Sequence, residues 1–193
     1  YLLIGKAHYY KGDYQGGLRS LHVILNKFRK EEVRLYALYW IARSYGAMND
    51  FKEADSYLNL LEEEGKAIPK ELRKPMELLY ADMLIKQKKY EDAIEKLEFA
   101  YTLTKKKKEK ARLKYILAQL HQKTGNGDEA LKLFAEVIKM DPPYEMAFNA
   151  KINMAKSFLS GTEGSEQIRK MLGKLLKDEK NNDFLDQIYY VLA

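Results

Sequence analysis

Apolar residues return along this chain at the spacing of a helix face, and polar breaks separate one face from the next. Leu38, Ile41, Ala42 and Tyr45 fall at i, i+3, i+4 and i+7; after Asn49-Asp50 the pattern restarts with Phe51, Ala54, Leu58 and Leu61. Breaks of the same kind stand at Gly12-Asp13, Lys88-Lys89 and Gly125-Asn126-Gly127. Asp50 suits a helix N-cap, and Asn49 suits the left-handed residue that ends the preceding helix. Lys88-Lys89 departs from this Gly/Asn-then-Asp habit, so that turn is expected to differ in detail. Pro142-Pro143 precedes a helical pattern, where proline is tolerated. The chain thus predicts helices over 1–11, 13–28, 31–48, 50–65, 70–87, 89–103, 107–124, 126–139, 143–160, 164–178 and 182–193, and no strand.

A second, longer period overlies the first. Gly5, Ala42, Ala81, Ala118, Ala155 and Ala193 recur every 37 to 39 residues, each after a bulky residue such as Ile41 or Leu117. Twelve positions on from the first four stand Gly17, Ala54, Ala93 and Ala130. A small residue lets two antiparallel backbones approach, and the large neighbour fills the adjoining groove. Such a period describes stacked helical hairpins, none able to bury its faces alone. The repeats run over about 1–30, 31–69, 70–106, 107–142 and 143–180, with a sixth opening at 181–193, as one repeat domain. The fifth places Gln167 or Ile168 where the second small residue belongs. The chain opens and closes inside a motif, as an excerpt of a longer protein would.

Lys114, Leu117, Ala118, His121, Ala130, Phe134 and Pro142 fall at the spacings of the tetratricopeptide-repeat signature, and Leu38, Ile41, Ala42, Tyr45, Ala54 and Leu58 match it about as well. Over nearly its full length the chain resembles that family, although its period exceeds the family's 34 residues. The resemblance implies an all-α, right-handed α-solenoid of tandem antiparallel hairpins, with first helices lining a concave groove. Carried over, the groove positions are Lys6, Tyr9 and Tyr10; Tyr36, Tyr39 and Arg43; Leu78, Asp82 and Lys86; Arg112, Tyr115, Gln119 and Lys123; Asn149, Ile152 and Lys156; and then Tyr190. Family members that clamp chaperone carboxyl termini use Lys, Asn and Arg at positions held here by Leu2, Lys6, Trp40, Pro75 and Leu79, so that clamp is not expected. Trp40 is expected in the helix seam. The segment Pro143–Lys151 is similar to a stretch in repeat-bearing lipoproteins of bacterial type IX secretion and gliding motility. That narrower likeness implies a periplasmic scaffold tethered to the outer membrane; without it, a cytoplasmic setting is the alternative.

Composition narrows the chemistry. Of 193 residues 46% are hydrophobic and 32% charged, enough for a core and a solvated exterior. With no cysteine there is no disulfide, thiolate metal site or cysteine nucleophile. No apolar run reaches the roughly 18 residues that span a bilayer. Net charge is +6, and the densest basic stretch, Lys105 to Lys108 continued by Lys110, Arg112 and Lys114, reads either as a surface for nucleic acid or anionic lipid or as a solvated connection favoured at a helix C-terminus. His8 and His121 share a repeat position with Tyr45, Leu84 and Phe158, which reads as packing; His22 lacks the second histidine of a helical metal pair. Glu62-Glu63-Glu64 reads as a solvated helix end, and Gly161-Thr162-Glu163-Gly164 lacks the strand and lysine of a phosphate loop. No catalytic residue, metal ligand or cofactor is expected. The predicted role is a docking scaffold for a protein or peptide partner of acidic character, with nucleic acid disfavoured. Single-stranded RNA binding through tyrosine stacking, or a rigid spacer, are the alternatives.

Overall fold

The computed structural model describes residues 1–159 and 165–192. Among these residues the chain is all-helical, with eleven α-helices: α1 (Leu2–Tyr10), α2 (Tyr14–Lys27), α3 (Val33–Ala47), α4 (Phe51–Glu62), α5 (Lys70–Lys86), α6 (Tyr90–Leu103), α7 (Lys107–Lys123), α8 (Gly127–Lys139), α9 (Tyr144–Leu159), α10 (Ser165–Leu176) and α11 (Leu185–Leu192). Short 3₁₀ turns cover Gly65–Ala67 and Glu179–Phe184. The expected Ala193 notch and the Gly161–Gly164 connection lie outside the described residues, as does the side chain at position 167 or 168.

The turns between helices repeat one device. Gly12, Asn49, Lys88 and Gly125 all take left-handed φ values of 79°, 61°, 61° and 79°. The next residue's N–H then reaches back five residues: Asp13 to His8, Asp50 to Tyr45, Lys89 to Leu84 and Asn126 to His121, at 2.9–3.0 Å. This is the Schellman closure, which satisfies a carbonyl the ended helix would leave open. Asp13, Asp50 and Asn126 also cap the following helix, accepting from the backbone N–H of Gly16, Glu53 and Glu129. One residue thus closes one helix and starts the next. The Lys88 turn, expected to differ, keeps the same backbone path, with a lysine carrying the strain glycine would avoid.

Contacts gather the chain into two compact units, Tyr1–Lys89 and Tyr90–Ala193. In the first, α1 pairs with α2 and α3 with α4, while α3 lies among α1, α2, α4 and α5. Accordingly α3 is buried nearly all round, through Leu35, Ala37, Leu38, Tyr39, Trp40, Ile41 and Ala42. The glycines do what their spacing suggests: a Cβ on Gly17 would stand 3.1 Å from the Gly5 carbonyl oxygen, so α1 and α2 touch backbone to backbone. In the second unit α7 pairs with α8 and α9 with α10. Ala118, Ala130, Phe134, Val137 and Ala150 form one core, and Phe148, Ile152, Ala155, Leu172, Leu175, Ile188 and Val191 another. Every described alanine of the two small-residue series is at most 1% exposed.

Candidate functional site

In the first unit the apolar rows of α1, α3 and α5 leave an open cavity of about 490 Å³, lined by Tyr9, Tyr39, Arg43, Ala47, Pro75, Leu78, Leu79, Asp82 and Lys86. On α5 the lining is one stripe at i, i+3, i+4, i+7 and i+11 from Pro75 to Lys86. Tyr9 projects from α1, and Tyr39 and Arg43 stand one turn apart on α3.

The wall is built of aromatic rings that hold each other in place. Trp40, 7% exposed, receives Tyr9, Tyr10 and Tyr39 at centroid distances of 5.4, 5.8 and 5.8 Å, all edge-on. The Arg43 guanidinium stacks 4.9 Å from the centroids of both Tyr9 and Trp40, and the Lys6 ammonium sits 5.3 Å from Trp40. Arg43 also donates to the Tyr39 hydroxyl at 3.5 Å. Burial holds the Tyr39 hydroxyl above its ordinary pKa, opposed by Arg43. Among the described residues no carboxylate pairs with Arg43. Lys86 differs: it binds Asp82 at 2.8 Å and the Gly46 carbonyl at 3.4 Å.

The groove positions predicted from the repeat register therefore divide. Tyr9, Tyr39, Arg43, Leu78, Asp82 and Lys86 share the cavity, while Lys6 and Tyr10 lie against Trp40, which packs behind its lining. Tyr36 does not line it; its hydroxyl donates to Glu71 at 2.5 Å, tying α3 to α5. That carboxylate pushes the Tyr36 hydroxyl up to about 12. In the second unit the positions are held in small sets. Tyr115 accepts from Asn153 at 3.0 Å and from Gln119 at 3.4 Å, and packs on Phe134. Burial raises its pKa while Asn153 works against the rise. Lys123 lies over Tyr90 and Lys156 over Tyr190, at 5.6 and 5.9 Å. Arg112 is exposed, Asn149 half-buried and Ile152 buried.

Pro75, Leu79 and Ala47 line the cavity but are not among the carried-over groove positions, although the α5 stripe is visible in the spacing of Pro75 and Leu79. The Gln122–Asn153–Ser157 hydrogen-bond set was also missed; its polar residues carry no repeat signal. His8 departs from the packing reading: its side chain is 36% exposed and its Nδ1 lies 2.7 Å from the Asp13 carboxylate. The bond from the Gly16 N–H and then His8 hold Asp13 below its usual pKa. His22 bridges the Leu18 carbonyl and the Tyr57 hydroxyl. The lysine run is not at a helix C-terminus: α6 ends at Leu103, and Lys107 and Lys108 open α7. Among the described residues no group of three His, Cys, Asp or Glu could hold a metal ion, and no helix is long and apolar enough to cross a membrane.

Two tetratricopeptide-repeat sequence models match the chain, over residues 84–151 and 36–64, together about half of it. No curated protein matches. The chain is similar to the crystal structure of the MamA protein, with TM-score 0.66 and 17% identity over 94% of this chain and 91% of that one. A candidate kinesin light chain of Podosopora anserina, with nearly identical TPR-like repeats, is as similar: TM-score 0.66 and 17% identity over 100% of this chain and 93% of the other. At such identities the likeness concerns the fold.

Proposed function

Because the chain belongs to the tetratricopeptide-repeat family, whose members generally mediate protein–protein interaction, we propose that it is a non-catalytic scaffold whose Arg43 cavity docks an extended acidic segment of a partner protein. The observation that carries this reading is Arg43: half-buried, held against the touching rings of Tyr9 and Trp40, and, among the described residues, without a carboxylate partner. A planar guanidinium held this way loses little freedom on binding and offers a fork to a carboxylate. Pro75, Leu78 and Leu79 give the apolar floor for a side chain beside that carboxylate. Asp82, on the rim, disfavours a second acid there, so the fit is to a segment with spaced rather than contiguous acids.

Tyrosine stacking with single-stranded RNA is the weaker reading, because Tyr9 and Tyr39 already pack on Trp40 and Asp82 faces the cavity. A role as rigid spacer would leave Arg43 without a purpose. The likeness of Pro143–Lys151 to secretion and gliding-motility lipoproteins favours such an assembly, in the periplasm, as the setting.

Trp40 is the chain's one tryptophan and touches the lining residues Tyr9, Tyr39 and Arg43, so its emission reports occupancy. Short peptides of matched length carrying spaced acidic, neutral or basic residues are titrated against wild type and Arg43→Gln. Acidic peptides should shift Trp40 emission saturably, and Arg43→Gln should weaken them about tenfold or more. Equal binding by the variant, or preference for basic peptides, would sink the proposal.

A further inference from the structure

The ten residues from Lys105 to Lys114 hold seven cations and one acid, Glu109, so this stretch carries a charge equal to the whole chain's formal net charge of +6. The rest of the molecule is balanced. Lys105, Lys106, Lys107, Lys108 and Arg112 are exposed. The connection that presents them is held firmly: buried Thr104 bonds the Ala100 carbonyl at 2.8 Å, and Lys110 and Lys114 lie over the Tyr101 ring at 5.0 and 5.2 Å. Folding uses Lys114, which pairs with Glu136 of α8, and Lys110 over Tyr101, but it does not call for the exposed lysines before them. Lysines at the start of α7 oppose its dipole, Lys106 makes no side-chain cap bond, and Glu109 pairs with Lys106 at 3.5 Å.

Immediately before the lysines, α6 ends in exposed apolar residues. Phe99 is 51% exposed and Leu103 37%, one turn apart on the same face. The acids of α6, Glu91, Asp92, Glu95 and Glu98, all precede Phe99, and none stands between Phe99 and the lysines. We infer that the tip formed by the end of α6 and the start of α7 rests on an anionic lipid surface, its lysines among the headgroups and Phe99 and Leu103 in the acyl boundary. Basic residues beside exposed Phe and Leu suit the membrane interface, where charge and apolar burial act together. A nucleic acid would use the charge but leave Leu103 in water, and Tyr101 already carries Lys110 and Lys114 over its ring. This inference is independent of the Arg43 cavity.

Sedimentation with phosphatidylglycerol-containing and pure phosphatidylcholine vesicles tests it, with circular dichroism confirming that each variant keeps its helices. The chain should bind the anionic vesicles and not the neutral ones. Each of Lys105→Gln, Lys107→Gln and Lys108→Gln should weaken binding about fivefold, and Lys132→Gln, in the middle of α8, should leave it unchanged. Phe99→Ser with Leu103→Ser should weaken it at least about tenfold. Equal binding to both vesicles, no effect of the Phe99 and Leu103 changes, or tighter binding to polyuridylate RNA than to anionic vesicles would overturn it.

Discussion

At the scale of single residues, the turns decide where each helix ends, and they do it at positions where side-chain identity has a calculable cost. Lys88 takes the left-handed conformation that Gly12 and Gly125 take without strain, at φ 61° against 79°. A non-glycine residue there gives up about 1 kcal/mol. Lys88→Gly should therefore stabilise the chain by roughly that amount in urea unfolding, and Gly125→Ala should destabilise it by a similar amount. Lys88→Gly that lowers the midpoint would mean the lysine makes a compensating contact. Asp50 closes α3 and caps α4 with one side chain and one N–H. Asp50→Ala should cost about 1 kcal/mol and Asp50→Asn far less, since asparagine caps equally well.

Between elements, contact is set by the smallest residues and by a few hydrogen bonds. A Cβ at Gly17 would press on backbone, the Gly5 carbonyl, which cannot turn aside as a side chain can. Gly17→Val should cost about 1–3 kcal/mol or push α1 off α2, read by hydrogen exchange confined to α1. The Tyr36–Glu71 bond between α3 and α5 adds a pH dependence. With the tyrosine raised to about 12, its contribution is fully present below pH 10 and fades as pH rises towards 12. Glu71 is lowered by the same bond, so its contribution fades as pH falls through that lowered value. Ultraviolet titration of Glu71→Gln should return Tyr36 towards 10; an unmoved tyrosinate transition would refute the bond. These contacts also mark what was readable beforehand. Helix faces, caps and small-residue notches are local patterns, so all eleven helices stand within three residues of their expected bounds. Tyr10 and Tyr39 both look like groove residues, yet they are 72% and 6% exposed. The difference is made by the neighbouring helices and by Trp40, which no spacing on one helix encodes.

For the molecule as a whole, stability is held in separate stores. Residues 1–89 carry a core built around α3, and residues 90–193 carry the cores at Phe134 and at Ile152. The carry-over of groove positions treats every repeat alike, so it does not distinguish Arg43, which lines a cavity, from Tyr115, Gln119 and Asn153, which spend their polar groups on one another. Repeat arrays sum intrinsic terms and nearest-neighbour terms, and single-transition unfolding fails when one store is emptied selectively. Phe134, fully buried, is the means to do this: Phe134→Ala should remove about 3–5 kcal/mol from the second unit. Trp40 emission reads the first unit alone, whereas far-ultraviolet circular dichroism reads every helix. In Phe134→Ala, helix loss should begin at lower urea while Trp40 emission keeps its wild-type midpoint. Leu38→Ala, in the core around Trp40, should instead move the emission to lower urea. If Phe134→Ala shifts both signals together, the two cores unfold as one, and the partition of stability between them is wrong.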